Sequence, residues 1–162
     1  MKNEVGNRTQ LVVRKSVLVN APQTHAFAVF TEQQGAWWPL TTHYIGAASA
    51  QTAIIEPLAG GRWFERSSDG DECDWGRVLV WEPPHRIVLS WDIGADWKSD
   101  PQLGTEVEVR FIAEDPATTR VELEHRHLER YGAQAETMQT TFDSEGGWSG
   151  ILRGFAQAAA KG

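Results

Sequence analysis

The clearest pattern in the chain is a strict alternation of apolar and polar positions. Residues 105–112 set Val107, Val109 and Phe111 against Glu106, Glu108 and Arg110. Residues 119–127 set Val121, Leu123 and His125 against Arg120, Glu122 and Glu124. Successive side chains on a strand point to opposite faces, so each stretch predicts a strand with one dry and one wet face. That pattern marks an antiparallel sheet covered on one side. Residues 11–20 (LVVRKSVLVN) predict a strand of looser alternation, with Val13, Lys15, Val17 and Val19 on one side. Residues 51–58 (QTAIIEPL) predict another.

Residues 60–91 predict three strands joined by two turns, at Asp69-Gly70 and Pro83-Pro84. Asp-Gly suits a two-residue hairpin, and proline cannot donate to a ladder. Counting outward from these dipeptides pairs Val80 with Ile87, Val78 with Leu89, and Gly76 with both Trp91 and Trp63. Trp63, Glu65, Gly76, Val78, Val80, Ile87, Leu89 and Trp91 then share the dry face. Phe64, Trp75 and Trp81 fall on the opposite face with Arg62, Arg66, Arg77, Arg86, Ser90 and Asp92. A glycine between two tryptophans leaves space on the dry face and hints at a pocket. The same count sets Glu65 against Asp74, an unfavourable like-charge pair, so it expects a bulge or a hairpin end open to water.

Helical signals flank this block. Asn20-Ala21-Pro22 starts a helix over residues 23–32 with Phe27 and Phe30 on one side, and Gly35 ends it. Residues 36–40 (AWWPL) read as a second short helix or a loop packed on the sheet. Asp143-Ser144 caps a long terminal helix, on which Trp148, Ile151, Leu152, Phe155 and Ala159 recur on one stripe. Burying its four large side chains is worth roughly 1.5–3 kcal/mol each. Residues 93–104 (IGADWKSDPQLG) form a loop of about a dozen residues that holds Trp97, a length more often functional or mobile than loops in general. The order is strand, two helices, about six strands and a terminal helix: an α+β class in one domain over residues 1–162, with residues 1–9 polar and frayed.

Composition narrows the function classes. The chain has 162 residues, enough for a sizeable core, and eight tryptophans, whose large apolar rings line cores and ligand sites alike. A net charge of −7 argues against nucleic acid and against an anionic membrane surface as partners. Cys73 is the single cysteine, so no internal disulfide forms. The first twenty residues lack a signal peptide's apolar core, and no apolar run nears the ~20 residues of a membrane helix. A cytoplasmic location is expected.

Several phrases carry a family resemblance: VNAPQTHAFAVFT at 19–31, Trp37-Trp38, GGRWFER at 60–66, GRVLVWEPPHRIVLSW at 76–91, LEHRHLERYG at 123–132 and FDSEGGWSGILRGFA at 142–156. Together they cover most of the chain. The chain resembles a bacterial member of the SRPBCC superfamily, which includes START lipid-transfer domains, birch-pollen-type allergens and polyketide cyclases. Within it, the branch named after activators of the heat-shock protein 90 ATPase is the one matched. The resemblance implies a helix-grip fold, a curved antiparallel sheet wrapped around the C-terminal helix, with an apolar cavity between them. The eukaryotic activators use additional regions to contact the chaperone, and no second domain is read in this chain.

Candidate chemistry is sparse. Glu65 and His125 are polar groups on an otherwise dry face, where a buried carboxylate or imidazole is either hydrogen-bonded or poised for use. They are the two candidates for acid–base catalysis. His125 and His127 have metal-ligand spacing, but no third ligand accompanies them, and no metal is expected. No nucleophile elbow, phosphate loop or CxxC motif is present, so no cofactor is expected. The candidate ligand-binding set is Trp37, Trp38, Trp63, Glu65, Gly76, Val78, Leu89, Trp91, His125, Trp148 and Leu152. His43 and Tyr44 lie near the expected cavity mouth as polar contacts.

The leading expectation is binding of a small hydrophobic or aromatic molecule between sheet and helix. An enzyme of the cyclase or hydrolase type using the same cavity is the alternative, and a co-chaperone rests on the family name alone. An apolar patch of Phe64, Trp75 and Trp81 would suit a homodimer interface.

Overall fold

The computed structural model describes residues 11–161; the fraying expected of residues 1–9 lies outside them. Seven strands form one antiparallel sheet in the order β1-β7-β6-β5-β4-β3-β2. They are β1 (Val13–Val19), β2 (Ala50–Ile55), β3 (Arg62–Ser67), β4 (Glu72–Glu82), β5 (Arg86–Trp91), β6 (Thr105–Asp115) and β7 (Thr118–Arg126). Helices α1 (Gln23–Glu32) and α2 (Gln34–Trp37) follow β1. After β7 come a 3-10 segment (Leu128–Gln134), α3 (Ala135–Asp143), a wide helical turn (Glu145–Ser149) and α4 (Gly150–Lys161). This is the helix-grip arrangement that the sequence implies.

The faces of β1, β6 and β7 follow the alternation. Val13 and Val19 are buried while Leu18 is exposed, and Val107, Val109, Phe111, Val121, Leu123 and His125 all face the core. On the outer face Glu108 is buried among guanidinium groups, 2.6 Å from Arg86 Nε, 2.7 Å from Arg110 and 2.5 Å from Arg126. Burial pushes its carboxyl up, but the hydrogen bonds from Arg86 and Arg126 more than reverse this and hold it below the usual range.

The central hairpins depart from a simple count. A bulge in the β3–β4 ladder leaves Trp63 opposite Gly76 but puts Phe64 opposite Asp74 and Glu65 opposite Cys73. A second, between Val78 and Val80, puts Val80 opposite Val88 and Trp81 opposite Ile87. One extra residue on a strand inverts the facing of everything beyond it. Trp75 therefore turns inward and is 1% exposed, and Trp81 packs edge-on to Phe27. Phe64 alone of that trio keeps the outer face, with the Arg62 guanidinium 3.9 Å above its ring. The apolar patch that motivated a dimer is thus dispersed.

Gly76 serves a different purpose from the one its neighbours suggest. A Cβ built there would lie 1.8 Å from the Ser90 carbonyl oxygen, so the glycine admits a close approach of β5 rather than opening a pocket. Regular pairing gives way there to hydrogen bonds from Arg77 N–H to Ser90 Oγ at 2.8 Å and from Asp92 N–H to the Trp75 carbonyl at 2.6 Å.

The terminal helix starts later than its sequence cap. Gly147, at φ −97° and ψ −136°, breaks the helical path between α3 and α4. Ile151, Leu152, Phe155 and Ala159 then bury one stripe against the core, with Phe155 touching Phe30 and Trp37. Among the described residues, no helix is long and apolar enough to cross a membrane.

Candidate functional site

Leu152 and Phe155 of α4 are buried in the core, and a cleft opens at the N-terminal end of that helix. The cleft, of about 350 Å³, sits where three segments meet. The first is the stretch after α2, contributing Trp38, Thr42, His43, Tyr44 and Ile45. The second is the start of the β5–β6 loop, contributing Trp91, Ile93 and Trp97. The third is the break between α3 and α4, contributing Thr141, Phe142, Gly146, Gly147, Trp148 and Ile151. Trp75 completes the wall.

The tryptophans interlock. Trp38 lies 5.0 Å from Trp75 and 6.0 Å from Trp148, ring centre to ring centre, and Trp91 lies 5.7 Å from Trp148. These are separations at which aromatic rings attract beyond simple burial. Their N–H groups are largely committed: Trp38 donates to the His43 carbonyl at 3.1 Å, Trp75 to Glu65 at 2.8 Å and Trp148 to His125 at 3.1 Å. Among the described residues, no Asp, Glu, Lys or Arg side chain lines the cleft.

Of the expected binding set, Trp38, Trp91 and Trp148 line this cleft, and His43 and Tyr44 stand at it as expected. Trp37, Trp63, Gly76, Val78, Leu89 and Leu152 do not. Trp37 donates to the Val29 carbonyl at 2.8 Å and Trp63 to Gln34 Oε1 at 2.6 Å, and both pack behind the cleft as core. Counting from the turns missed Trp75, and the spacing gave no reason to choose Ile93 or Phe142. The signal for Trp75 was available in Gly76 itself, since a lone glycine inside a strand often marks a bulge or a close backbone approach.

Glu65 and His125 are the two acid–base candidates, and both are saturated. Glu65 is 2% exposed. Its Oε1 accepts from Ile45 N–H at 2.7 Å and from the Trp75 indole, and its Oε2 accepts from Gly46 N–H at 3.0 Å. The carboxylate ties the 45–46 backbone to the sheet and so shapes a cleft wall without facing the cleft. For His125 the network dictates the tautomer. An indole N–H can only donate, so Nδ1 accepts from Trp148. Thr105 gives its hydroxyl proton to the Trp91 carbonyl at 2.7 Å, so Nε2–H donates to Thr105 Oγ1 at 3.1 Å. Complete burial pushes the imidazole down to about 3. It is a neutral, fully bonded strut between cleft and core, and catalysis by either residue loses its geometric basis.

His43 bridges two walls of the cleft. Its Nε2–H donates to the Gly146 carbonyl at 2.7 Å, while Nδ1 pairs with Thr42 Oγ1 at 2.7 Å.

Residues 20–160 match the family model described as activator of Hsp90 ATPase homolog 1-like protein. Among solved structures, the chain is 39% identical to an anthrahydroquino-Gama-pyrone synthase, Txn09, complexed with SUM, with a TM-score of 0.64 over 90% of this chain and 95% of that one. It is 29% identical to CalC, a self-sacrificing resistance protein from Micromonospora echinospora, with a TM-score of 0.69 over 93% and 94% of the two chains. A protein from Nitrosomonas europaea, 11% identical with a TM-score of 0.67 over 93% and 94%, shares the fold. No curated protein gives a significant match.

Proposed function

The chain belongs to the family of activator of Hsp90 ATPase homolog 1-like proteins, within the SRPBCC superfamily, and from that premise we propose that it binds a small, neutral, largely aromatic molecule in the tryptophan-lined cleft. One observation carries the reading: five indole rings and the Phe142 ring stand in the wall, and among the described residues no Asp, Glu, Lys or Arg side chain joins them. Such a site matches the apolar linings of small-molecule pockets and gives an ionic headgroup no counter-charge. Its volume, about 350 Å³, lies within the usual ligand range and suits two to four fused rings. His43 and Thr42 already pair with each other, so the Tyr44 hydroxyl and the acceptor side of the Thr141 hydroxyl, which donates to the Thr137 carbonyl, are the groups left for hydroxyl or carbonyl substituents. The likeness to a synthase and to a resistance protein supports a small-molecule role over a co-chaperone one.

Titration with N-phenyl-1-naphthylamine, 1,8-dihydroxyanthraquinone and 1-dodecanol, followed by calorimetry, tests this. The two aromatic probes are expected to bind, with dodecanol weaker. Absence of heat from all three at millimolar concentration would sink the reading.

A cyclase acting in the same cleft is the second reading, favoured by the 39% identity to a synthase. Recovery of a bound ligand unchanged in mass supports binding alone, and conversion of an aromatic polyketone to a product lighter by one water supports the cyclase. We further propose a cytoplasmic setting without nucleic-acid or membrane partners, in keeping with the net charge of −7.

A further inference from the structure

We propose that Trp97 is a preset clamp that covers the bound molecule and selects for flat aromatic rings; this rests on the binding reading above. The other tryptophans of the cleft, Trp38, Trp75, Trp91 and Trp148, are between 1% and 5% exposed and lie against one another. Trp97 is 44% exposed, and its one aromatic neighbour among the described residues is Phe142, met edge-on at 6.4 Å. It thus lines the cleft with much of its ring uncovered.

Its backbone is a second, independent sign. Trp97 has φ of 61°, in the left-handed region that a bulky L-residue avoids. The turn is fixed on several sides. Trp97 N–H donates to the Gly94 carbonyl at 2.9 Å, and Gly94 N–H donates to the Lys98 carbonyl at 2.8 Å. Lys98 N–H donates to Asp96 Oδ1 at 3.1 Å. The base of the loop is anchored where Gly104 N–H donates to Asp92 Oδ1 at 2.9 Å. Glycine or asparagine would occupy this turn more readily than tryptophan. An unfavourable conformer held in place at a ligand site is a common form of stored strain. A ligand ring sandwiched between Trp97 and the buried indoles would cover the exposed face and use the geometry the turn imposes.

Trp97→Gly and Trp97→Phe separate this role from a structural one. In Trp97→Gly, affinity for N-phenyl-1-naphthylamine is expected to fall about 3- to 10-fold, the scale of one lost aromatic contact. Affinity for dodecanol should change less, and Tm should hold or rise as the strained residue goes. Trp97→Phe should keep most of the affinity for the aromatic probe. The clamp is overturned if Trp97→Gly binds that probe as tightly as the wild type, or loses aromatic and aliphatic ligands equally. Failure of the wild type to bind any probe would instead remove the binding reading, and the clamp with it.

Discussion

Glu65 and His125 illustrate how a pattern can place a residue on a face while leaving open whether it is hydrogen-bonded or poised for use. Both lie on the dry face that alternation predicts, and both are held by complementary donors and acceptors. Three donors converge on the Glu65 carboxylate. Glu65→Gln would turn an amide N–H₂ toward at least one of them, so it should cost about 1–3 kcal/mol in denaturant unfolding and loosen the 45–46 wall. Unchanged stability would contradict the anchoring role. For His125 the sign of the pH effect follows from its low native value. The unfolded chain takes a proton near 6.5 while the native imidazole waits until about 3, so the unfolded state binds more protons between these values. Stability contributed by the neutral imidazole is full above pH 6.5 and is lost as pH falls toward 3, by up to about 1.4 kcal/mol per pH unit. His125→Gln should lower stability at pH 7.5 and flatten this dependence; equal slopes in the two proteins would show that the residue titrates normally.

At the scale of elements, the bulged strand β4 decides which tryptophans face inward. Alternation in β6 and β7 was legible because those strands pair without a bulge through their dry stretch, from Val107↔His125 to Phe111↔Val121. Counting from Asp69-Gly70 and Pro83-Pro84 failed in β4 because a bulge leaves no mark in the spacing of turns, and two of them change the parity of Trp75 and Trp81. The apolar stripe of α4 was legible for the same reason that β6 was, a regular period. The break at Gly147, which forms one wall of the cleft, interrupts that period and was read through. Gly76→Ala tests the close-approach account of the bulge directly. Its methyl would meet backbone, which cannot swing aside, and the substitution should cost about 3 kcal/mol or more. A loss below 1 kcal/mol would mean that β5 yields easily.

For the whole molecule, the core and the cleft are built from the same residue type but in different states of completion. Trp63 joins the two: its ring meets Trp38 at 6.2 Å, Trp75 at 5.4 Å and Trp91 at 5.6 Å, while Gln34 takes its N–H. The family resemblance made a cavity the expected use of the sheet and terminal helix. The packing moves the opening to the end of α4, where loop, turn and helix break supply walls that no periodicity specifies. The eight tryptophans therefore divide into five at the cleft (Trp38, Trp75, Trp91, Trp97, Trp148) and three away from it (Trp37, Trp63, Trp81). That division offers the most direct test of ligand binding at this site. Indole N–H resonances, assigned in a ¹⁵N-labelled sample, can be followed as N-phenyl-1-naphthylamine is added. The account predicts that the cleft tryptophans shift together along one saturable curve, Trp97 and Trp148 among them, while Trp37 and Trp81 stay nearly still. Saturating probe that leaves the cleft tryptophans unmoved, or that shifts Trp37 and Trp81 instead, would contradict it.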